Sequence, residues 1–472
     1  MPELSNDYAK NRELLDGALN IGASFDLSAR RIRSGGREVS IYYTDGLLKD
    51  DSAAKIVGDL MNVKAEDMLT VSTAEQFSEN FLPYIETQTS CDIMMLCKAV
   101  FSGAAVIIAE GCAGAVIADA RTYPARSMSE PENNRVLRGP HEGFVETLIF
   151  NTAMLRRRIR DADLRIKLFT IGERSKTDVA LCYMENSVNP KILRAVIKKL
   201  QSVKISALTM GQESLLECLL PKGLLNPFPR VRFTERPDAA AASVAEGSIV
   251  IITDCTPAAM ILPTNFFSFM QDTNDYYFSP FTGSFVRIIR FIIFSMTLTM
   301  IPIWFYLMKS PGIIPESLDF IKISEPNSVP LILQLLMVEL AVDALKLASI
   351  NTPSSLGNSL SVISALILGD FAVQSGWLVP EVVLYMSFVA VATFSQSSFE
   401  MGWAFKISRL FVILMTELFA LPGLLIGFFL VFLRLLTTKT ITGRDYLYPL
   451  IPFDSKALGS LVFRKPVKGS KN

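Results

Sequence analysis

The chain has 472 residues, half of them apolar, and its 46 basic residues balance 46 acidic residues. A chain of this length exceeds what one hydrophobic core usually organises, so two or three domains are expected. The even charge balance gives no global field of the kind that attracts nucleic acid, so no nucleic-acid partner is expected. The apolar share is high for a soluble enzyme but low for a protein that lies entirely in lipid. The composition therefore predicts a soluble part joined to a membrane part.

The cysteine pattern predicts reduced, mostly buried thiols in a reducing compartment. All six precede the hydrophobic C-terminal block, and none lies in a CxxC pair or at zinc-ligand spacing from the single histidine. No metal and no cofactor is therefore expected. Residues 1–20 are polar and lack the apolar core of a signal peptide. The cysteines are Cys91, Cys97, Cys112, Cys182, Cys218 and Cys255.

Residues 1–125 predict a first small α/β module. Apolar residues at helical spacing predict a first helix at 6–20. A strand is expected at 38–43, and the runs 104–109 and 113–118 predict two paired strands around Glu110 and Gly111. Further helices are predicted at 52–61, 72–79 and 91–101.

Residues 126–165 predict a linker that is rich in proline, arginine and glycine and ends in a basic helix. Residues 166–284 predict a second small α/β module. No internal repeat is strong enough to claim from the residues, although the two modules share a general plan of strands and helices. The predicted elements of the second module are strands at 167–171, 178–183, near Val231 and at 248–252, and a helix at 190–201.

Residues 285–438 predict a helical membrane domain. Residues 291–308 are uncharged, mainly apolar and long enough to cross a hydrocarbon layer of about 30 Å. Residues 356–376 and 379–399 predict an antiparallel helical hairpin, and 410–436 predict either one kinked span or a re-entrant pair broken near Pro422. The fold class is therefore an α/β cytoplasmic region of two small modules, followed by an α-helical multi-span membrane domain.

Residues 329–348 form a doubtful span, because this apolar segment carries Glu339, Asp343 and Lys346. Spacings of three and four residues would gather these side chains on one face of a helix. Each charge would cost several kcal/mol facing lipid, so each is expected to face protein or water, or to lie at an interface. The same expectation applies to Asp370, Glu400 and Glu417.

The charges that flank the membrane segments predict an orientation. Arg287 and Arg290 precede the first span, whereas the loop that follows it is slightly acidic. The tail, residues 439–472, carries seven basic residues against two acidic ones, a net charge of +5. Both termini are therefore predicted to be cytoplasmic, residues 312–327 external, and the number of crossings even.

Two arrangements satisfy an even number of crossings. In one, four segments span and residues 329–348 lie in the membrane interface. In the other, residues 329–348 cross and the Pro422 region is re-entrant, which puts Lys406 and Arg409 on the cytoplasmic side. The second arrangement is preferred.

The sequence predicts no enzyme. His141 lies in a loop-like segment without a serine or cysteine in a recognised nucleophile setting, so a histidine bonded to backbone is the expected role. The basic run of Arg156, Arg157 and Arg158 is hypothesised to be an interaction surface. Its alternative is a solvated helix face with salt bridges, because Asp161 and Asp163 follow directly.

Three separated segments resemble one family. Residues 228–277, which include FPRVRFTERPDAAAASVAEGSIVIITDCTP, are similar to the segment before the first span in A subunits of the GerA-type spore germinant receptors. Residues 130–164 resemble the linker of those proteins, and residues 358–377, NSLSVISALILGDFAVQSGW, resemble their membrane hairpin. One departure is Cys255, in a turn where family members usually have glycine.

The resemblance implies a multi-pass subunit of a spore germination complex in the spore inner membrane. It implies a homo-oligomer, a pentamer, that forms an ion channel and releases monovalent cations during germination. The implied partners are a transporter-like B-type subunit, a lipoprotein C-type subunit and membrane lipid. The alternative is a non-conducting receptor or scaffold subunit. A secondary transporter is disfavoured because the helix break near Pro422 has no matching break elsewhere.

The helix predicted over residues 354–376 is hypothesised to line the pore. At about 100° per residue, its small and polar residues fall on one face and its large apolar residues on the other. A ring of serine and asparagine side chains would hydrate an ion, and Val362 would form an apolar constriction. The alternative is close helix packing through the small residues. The predicted pore-lining residues are Ser354, Ser355, Asn358, Ser361, Val362, Ala365, Gly369, Ala372 and Val373.

Overall fold

The computed structural model describes residues 3–82, 86–122, 139–220, 226–272, 274–324, 328–351, 371–443 and 445–464. They divide into two compact units. An α/β unit comprises Met1–Lys222, Val231–Thr264 and Ile441–Arg444, and a helical unit comprises Gly223–Arg230, Asn265–Thr440 and Asp445–Asn472. The α/β unit holds two modules, each with its own sheet.

The first module is a five-stranded antiparallel sheet with helices on both faces. Its elements are α1 (Tyr8–Ala18), β1 (Leu27–Ser34), β2 (Arg37–Thr44), α2 (Asp50–Met61), α3 (Ala65–Leu69), α4 (Ala74–Phe81), β3 (Thr87–Ser90), α5 (Ile93–Phe101), β4 (Ala105–Ala109) and β5 (Ala115–Ala118). The strand order is β1-β2-β4-β5-β3. One face packs on α1 and α5, and the other packs on α2, α3 and α4.

The second module repeats this plan. Its elements are α6 (Leu148–Arg158), β6 (Leu164–Ile171), β7 (Thr177–Met184), α7 (Pro190–Ser202), α8 (Gln212–Leu219), β8 (Arg232–Thr234), α9 (Pro237–Ala245), β9 (Ile249–Thr253) and β10 (Ala259–Leu262). The strand order is β6-β7-β9-β10-β8, which matches the first module strand for strand. One face packs on α6 and α9 and the other on α7 and α8. The shared plan is therefore a structural duplication that residue identity does not reveal.

The predicted strands and helices of both modules are confirmed. The pair at 104–109 and 113–118 is the antiparallel pair of β4 and β5. Among the elements that were not predicted are β1, β3, β10, α8 and α9. The prediction of mostly buried cysteines is wrong for Cys91, Cys218 and Cys255, which are exposed, because they lie at the surface ends of elements rather than in a core face.

The two modules make the same turn with different residues. In the first, β4 is followed by Glu110 and Gly111, and Gly111 has φ of 76°. In the second, β9 is followed by Asp254 and Cys255, and Cys255 has φ of 59°. This left-handed region is open to glycine but strained for a residue with a Cβ. Cys255 therefore carries strain that Gly111 avoids.

The helical unit contains the apolar segments of the chain. Its α-helices are α10 (Asn274–Tyr277), α11 (Pro280–Lys309), α12 (Leu331–Asn351), α13 (Ala372–Gln374), α14 (Pro380–Phe394), α15 (Phe399–Thr437) and α16 (Ser455–Val462). Among the described residues, α11 and α15 are long and apolar enough to cross a membrane. The shorter apolar helix α14 has 15 residues.

The helix α15 doubles back on itself at Ala420, whose φ of 50° and ψ of −128° are not helical. A Cβ on Gly423 would lie 1.8 Å from the carbonyl oxygen of Met415, and a Cβ on Gly427 would lie 3.3 Å from Cα of Val412. In a straight helix, Val412 and Gly427 would be about 22 Å apart. The two halves, residues 399–419 and 421–437, therefore form an antiparallel pair rather than one kinked rod.

The helices of this unit lie side by side in two directions. The first half of α15 runs parallel to α11, because Phe294 packs on Phe405 with ring centroids 4.3 Å apart and Lys309 pairs with Glu417 at 2.8 Å. The helix α14 runs the other way, since the ring of Trp304 in α11 packs on Tyr385 near the start of α14, while Thr297 bonds Gln396 just after its end. The start of α12 lies beside the start of α14, where the backbone N–H of Val379 donates to Oε1 of Gln334 at 2.8 Å. Both predicted arrangements of residues 329–348 stay open.

The C-terminal segment lies at the end of the helical unit where α11 begins. The Nη1 of Arg287 donates to the carbonyl oxygens of Ser460 and Leu461 at 3.2 and 3.3 Å. The backbone N–H of Arg464 donates to Oγ of Ser284 at 3.0 Å. Residues 460–464 of the predicted tail are thus packed against α11.

Candidate functional site

Five ionisable side chains from two helices meet inside the helical unit. Glu339, Asp343 and Lys346 lie on α12, and Lys406 and Arg409 lie on the first half of α15. We call these five residues the buried charge cluster. Glu339, Lys406 and Arg409 are 5%, 6% and 3% exposed. Their burial means that the charges must be compensated by one another rather than by water.

Glu339 is the centre of the cluster. Its Oε1 accepts from Nε of Arg409 at 2.9 Å and also from Nη2 of that residue. Its Oε2 pairs with Nζ of Lys406 at 3.0 Å. The Nη1 of Arg409 donates to the carbonyl oxygen of Thr297 in α11 at 2.7 Å. These bonds connect α11, α12 and α15.

The second carboxylate, Asp343, pairs with Lys406 through Oδ2. Two aromatic rings face the lysines: Nζ of Lys346 lies 4.8 Å from the ring centroid of Phe394, and Nζ of Lys406 lies 5.6 Å from that of Trp403. An ammonium over an aromatic face is stabilised most where water is excluded. The cluster has three cations and only two carboxylates. The aromatic rings thus help to stabilise the additional positive charge.

A cavity of about 10 Å³ adjoins the cluster and has room for a single water molecule. The Oδ1 of Asp343 has no hydrogen-bond partner within the described part of the chain. The cavity is lined by Glu339, Val342, Lys346, Met386, Val389, Ala390, Thr393, Lys406 and Arg409.

The cluster couples the positions of three helices. Sliding α12 along α15 would separate Glu339 and Asp343 from their cations in a medium of low dielectric, where a bare charge costs several kcal/mol. The cluster can therefore keep the helices in one arrangement and oppose partial displacement. The spacing of Glu339, Asp343 and Lys346 predicts their shared face, and the structure brings them together there.

Lys406 and Arg409 do not serve as flanking charges. The preferred topology puts them on the cytoplasmic side, but Arg409 is bonded to Thr297, near the middle of the 30 residues of α11. Their partners lie on α12, more than 50 positions earlier in the chain, and the side of the membrane on which they lie stays a prediction. A charge that is neutralised inside the helical unit does not report which end of a helix faces the cytoplasm.

The three arginines of the predicted interaction surface differ in their exposure to solvent. Arg156 is 0% exposed and cannot form part of a surface. Its Nε and Nη2 donate to the two carboxylate oxygens of Asp26 at 2.7 and 3.1 Å. Arg157 and Arg158 are partly exposed, and both pair with Glu142 at 3.5 and 2.7 Å. The hypothesis stays a prediction for Arg157 and Arg158.

The predicted pore-lining residues from Ser354 to Gly369 lie outside the described residues. Ala372 and Val373 are described, and both are partly buried against the apolar cluster that contains Trp304, Val382 and Met386. The structure thus shows packing contacts at the end of that segment.

A second group of ion pairs lies at the start of α11, and the sequence pattern does not predict it as a site. Arg287 and Arg290 are predicted only as flanking charges, yet both bond Oδ2 of Asp275, at 3.4 and 2.7 Å. Asp275 is 0% exposed. The TND sequence before α11 gives no periodic signal, so only the fold brings Asp275 to the arginines.

The thiols of the α/β unit differ in reactivity. Burial, with a smaller effect of Asp92, raises the pKa of Cys97 to about 11. Burial also raises the pKa of the fully enclosed Cys182. Both are poor nucleophiles at neutral pH, because the thiolate is the reactive form.

Comparisons with known proteins identify the family of the chain. The family model described as "Bacillus/Clostridium GerA spore germination protein" matches residues 16–472. Stage V sporulation protein AF of Bacillus subtilis is 36% identical over 465 residues, which cover 98% of this chain and 93% of that protein. Spore germination protein KA of Bacillus subtilis is 28% identical, with coverage of 98% and 85%.

A solved structure also matches. It is the N-terminal domain of the A subunit of the Bacillus megaterium spore germinant receptor GerK3, at 25% identity and a TM-score of 0.43, with 56% of this chain and 97% of that chain covered. The likeness of residues 358–377 to the stage V sporulation protein AF branch agrees with the 36% identity. A family match over nearly the whole chain, together with a relative at this identity, shows that the chain belongs to the GerA family of spore germination proteins.

Proposed function

We propose that the chain is the membrane subunit of a spore germination complex and forms, as a homopentamer, a channel that releases monovalent cations during germination. The helix over residues 354–376 lines the channel, with Val362 as its constriction. The α/β unit lies in the cytoplasm and binds partner proteins. Family membership supports the role in germination.

The observation that carries the channel proposal is the buried charge cluster. A helical unit that only anchored the α/β unit would not need Glu339, Lys406 and Arg409 in its interior, since each buried charge is costly in a bilayer. The cluster fixes α12, whose end leads directly into the proposed pore segment. Holding that helix on α15 gives the pore segment a firm support.

The proposed location is the spore inner membrane, with several crossings and both termini in the cytoplasm. The contacts of Arg287 with Ser460 and Leu461 support a common side for the start of α11 and the C-terminal segment. The relatives include proteins named as spore germination proteins, and one solved relative is named as an A subunit of a germinant receptor. The proposed partners are accordingly a transporter-like B-type subunit and a lipoprotein C-type subunit.

The test is the conductance of liposomes that contain the purified protein. Val362→Ala should widen the constriction and raise potassium leak, and Val362→Phe should lower it. Size-exclusion profiles of both variants should match the wild type, which controls for assembly. Equal leak through both correctly assembled variants would indicate that the helix packs against neighbouring helices and does not line a pore.

One observation favours a second candidate, a non-conducting receptor or scaffold subunit. Glu339 and Asp343 both pair with cations of the same chain, so the cluster is self-contained. A scaffold would show no potassium leak in any of these variants, while it would still form a complex with its B-type partner.

A further inference from the structure

Two guanidinium groups beside the first turns of α11 have hydrogen-bonding capacity that no described residue fills. The Nη2 of Arg287 and the Nη1 of Arg464 are enclosed and lack a partner within the described part of the chain. The side chain of Arg287 is 3% exposed. A buried donor without an acceptor is costly, so an acceptor for these N–H groups is expected from outside the described residues.

Both arginines lie on one face of α11. A Cβ on Gly283 would come within 3.1 Å of Cδ of Arg464, so this glycine leaves room for the Arg464 side chain against the helix. Arg287 follows Gly283 by four residues, which is one helical turn on the same face. The backbone bond from Arg464 to Ser284 fixes the arrangement at 3.0 Å.

The charge at this point favours an anion. Asp272 and Asp275 form ion pairs with Arg287 and Arg290, so two carboxylates balance two guanidinium groups. Arg464 is then the cation in excess.

The surroundings resemble the region where membrane helices meet headgroups. Phe281, Phe285 and Phe463 are 84%, 55% and 58% exposed near the same end of α11. Large apolar rings that are exposed beside a membrane helix mark a surface for contact with lipid. The ring of Tyr276, 50% exposed, covers the guanidinium of Arg287 at 5.0 Å.

We propose that Arg287 and Arg464 bind the phosphate group of an anionic membrane lipid. Planar guanidinium groups match the geometry of phosphate oxygens and form strong charge-assisted bonds with them. The acyl chains of the lipid would lie along Phe281 and Phe285. The proposal rests on the membrane insertion of α11 but not on ion conduction. A protein that conducts no ions could therefore still bind lipid at this site.

The test measures the apparent melting temperature of the full-length protein in detergent while lipid is titrated. Anionic phosphatidylglycerol should raise this temperature at lower concentration than zwitterionic phosphatidylcholine, because a ligand that binds the folded state stabilises it. Arg464→Gln should raise the phosphatidylglycerol concentration required by about tenfold, the loss expected for one charge-assisted bond. Lys456→Gln is the matched control and should change little.

Two further arms complete the design. Arg287→Lys keeps the positive charge but removes the second donor arm, so it should weaken the phosphatidylglycerol effect even if Arg464→Gln folds poorly. Inorganic phosphate that stabilises the protein as strongly as the lipid, and loses its effect in Arg464→Gln, would identify free phosphate as the source of the anion and overturn the lipid assignment. Equal responses to both lipids, or a response unchanged in Arg464→Gln and Arg287→Lys, would overturn the site.

Discussion

Arg156 and Asp26 form a fully buried ion pair inside the α/β unit, where both side chains are 0% exposed. Asp26 directly precedes β1 of the first module, and Arg156 lies on α6 of the second. Further bonds from Arg156 to the carbonyl oxygens of Asp161 and Leu164 use its remaining donors. A pair that is satisfied in this way joins the two modules with little freedom to shift.

Arg156→Met should destabilise the protein by about 3–5 kcal/mol, because it leaves the carboxylate of Asp26 buried without its cation. The measurement is the apparent melting temperature of the purified protein. Arg157→Met is the matched control, and loss of its partly exposed ion pair should cost less than about 1 kcal/mol. Similar shifts for both variants would mean that the Arg156 pair does not hold the modules together.

Cys255→Gly should stabilise the protein by about 1 kcal/mol, since glycine adopts a φ of 59° without the clash of a Cβ. The reverse change in the first module, Gly111→Cys, should destabilise, because its Cβ would lie 3.0 Å from the Arg37 side chain. Melting temperatures of both variants give the comparison. A loss of stability in Cys255→Gly would show that the thiol makes a contact worth more than the strain.

At the scale of elements, the sequence predicts those whose pattern is local and strong. The apolar runs of β4 and β9 and the spacing along α7 are sufficient by themselves. In contrast, the edge strand β1 contains Arg30, Arg31 and Arg33 and has no regular apolar alternation, and the four polar residues of β3 have no apolar signal. Such strands are defined by the neighbour they pair with, which a single sequence does not give.

The candidate site shows the same limit. One helix supplies Glu339, Asp343 and Lys346, and their spacing predicts a shared face. Their partners Lys406 and Arg409 come from another helix, and the pairing depends on the reversal of α15 and the packing of α11. Charge–charge contacts over such sequence distances follow from tertiary packing rather than from local pattern.

Gly423→Ala should destabilise the helical unit by several kcal/mol, because the added Cβ would overlap the Met415 carbonyl oxygen at 1.8 Å. The antiparallel halves of α15 would have to separate. Gly459→Ala is the matched control: its Cβ meets nothing within 4 Å, and alanine favours its helix. The measurements are folded yield in detergent and melting temperature. Equal behaviour of the two variants would argue against the close approach of the two halves.

At the scale of the whole molecule, the direction of the helices predicts which segments share a side of the membrane. Cysteine at Ser317 should react with a membrane-impermeant thiol reagent added outside, because it follows α11. Cysteine at Ser455, in the helix α16 whose far end contacts the start of α11, should not react until the membrane is permeabilised. The native exposed thiols Cys91, Cys218 and Cys255 act as internal controls, since they should also stay unlabelled. The reverse pattern would invert the orientation.

The matching strand orders of the two modules point to gene duplication and fusion. In the two copies, Gly111 and Cys255 occupy equivalent turns with positive φ. Where the modules meet, the backbone N–H of Phe25 donates to the carbonyl oxygen of Ile166 at 3.1 Å. Either module alone would expose these groups to water, so each of the two like modules covers part of the other's surface within one chain.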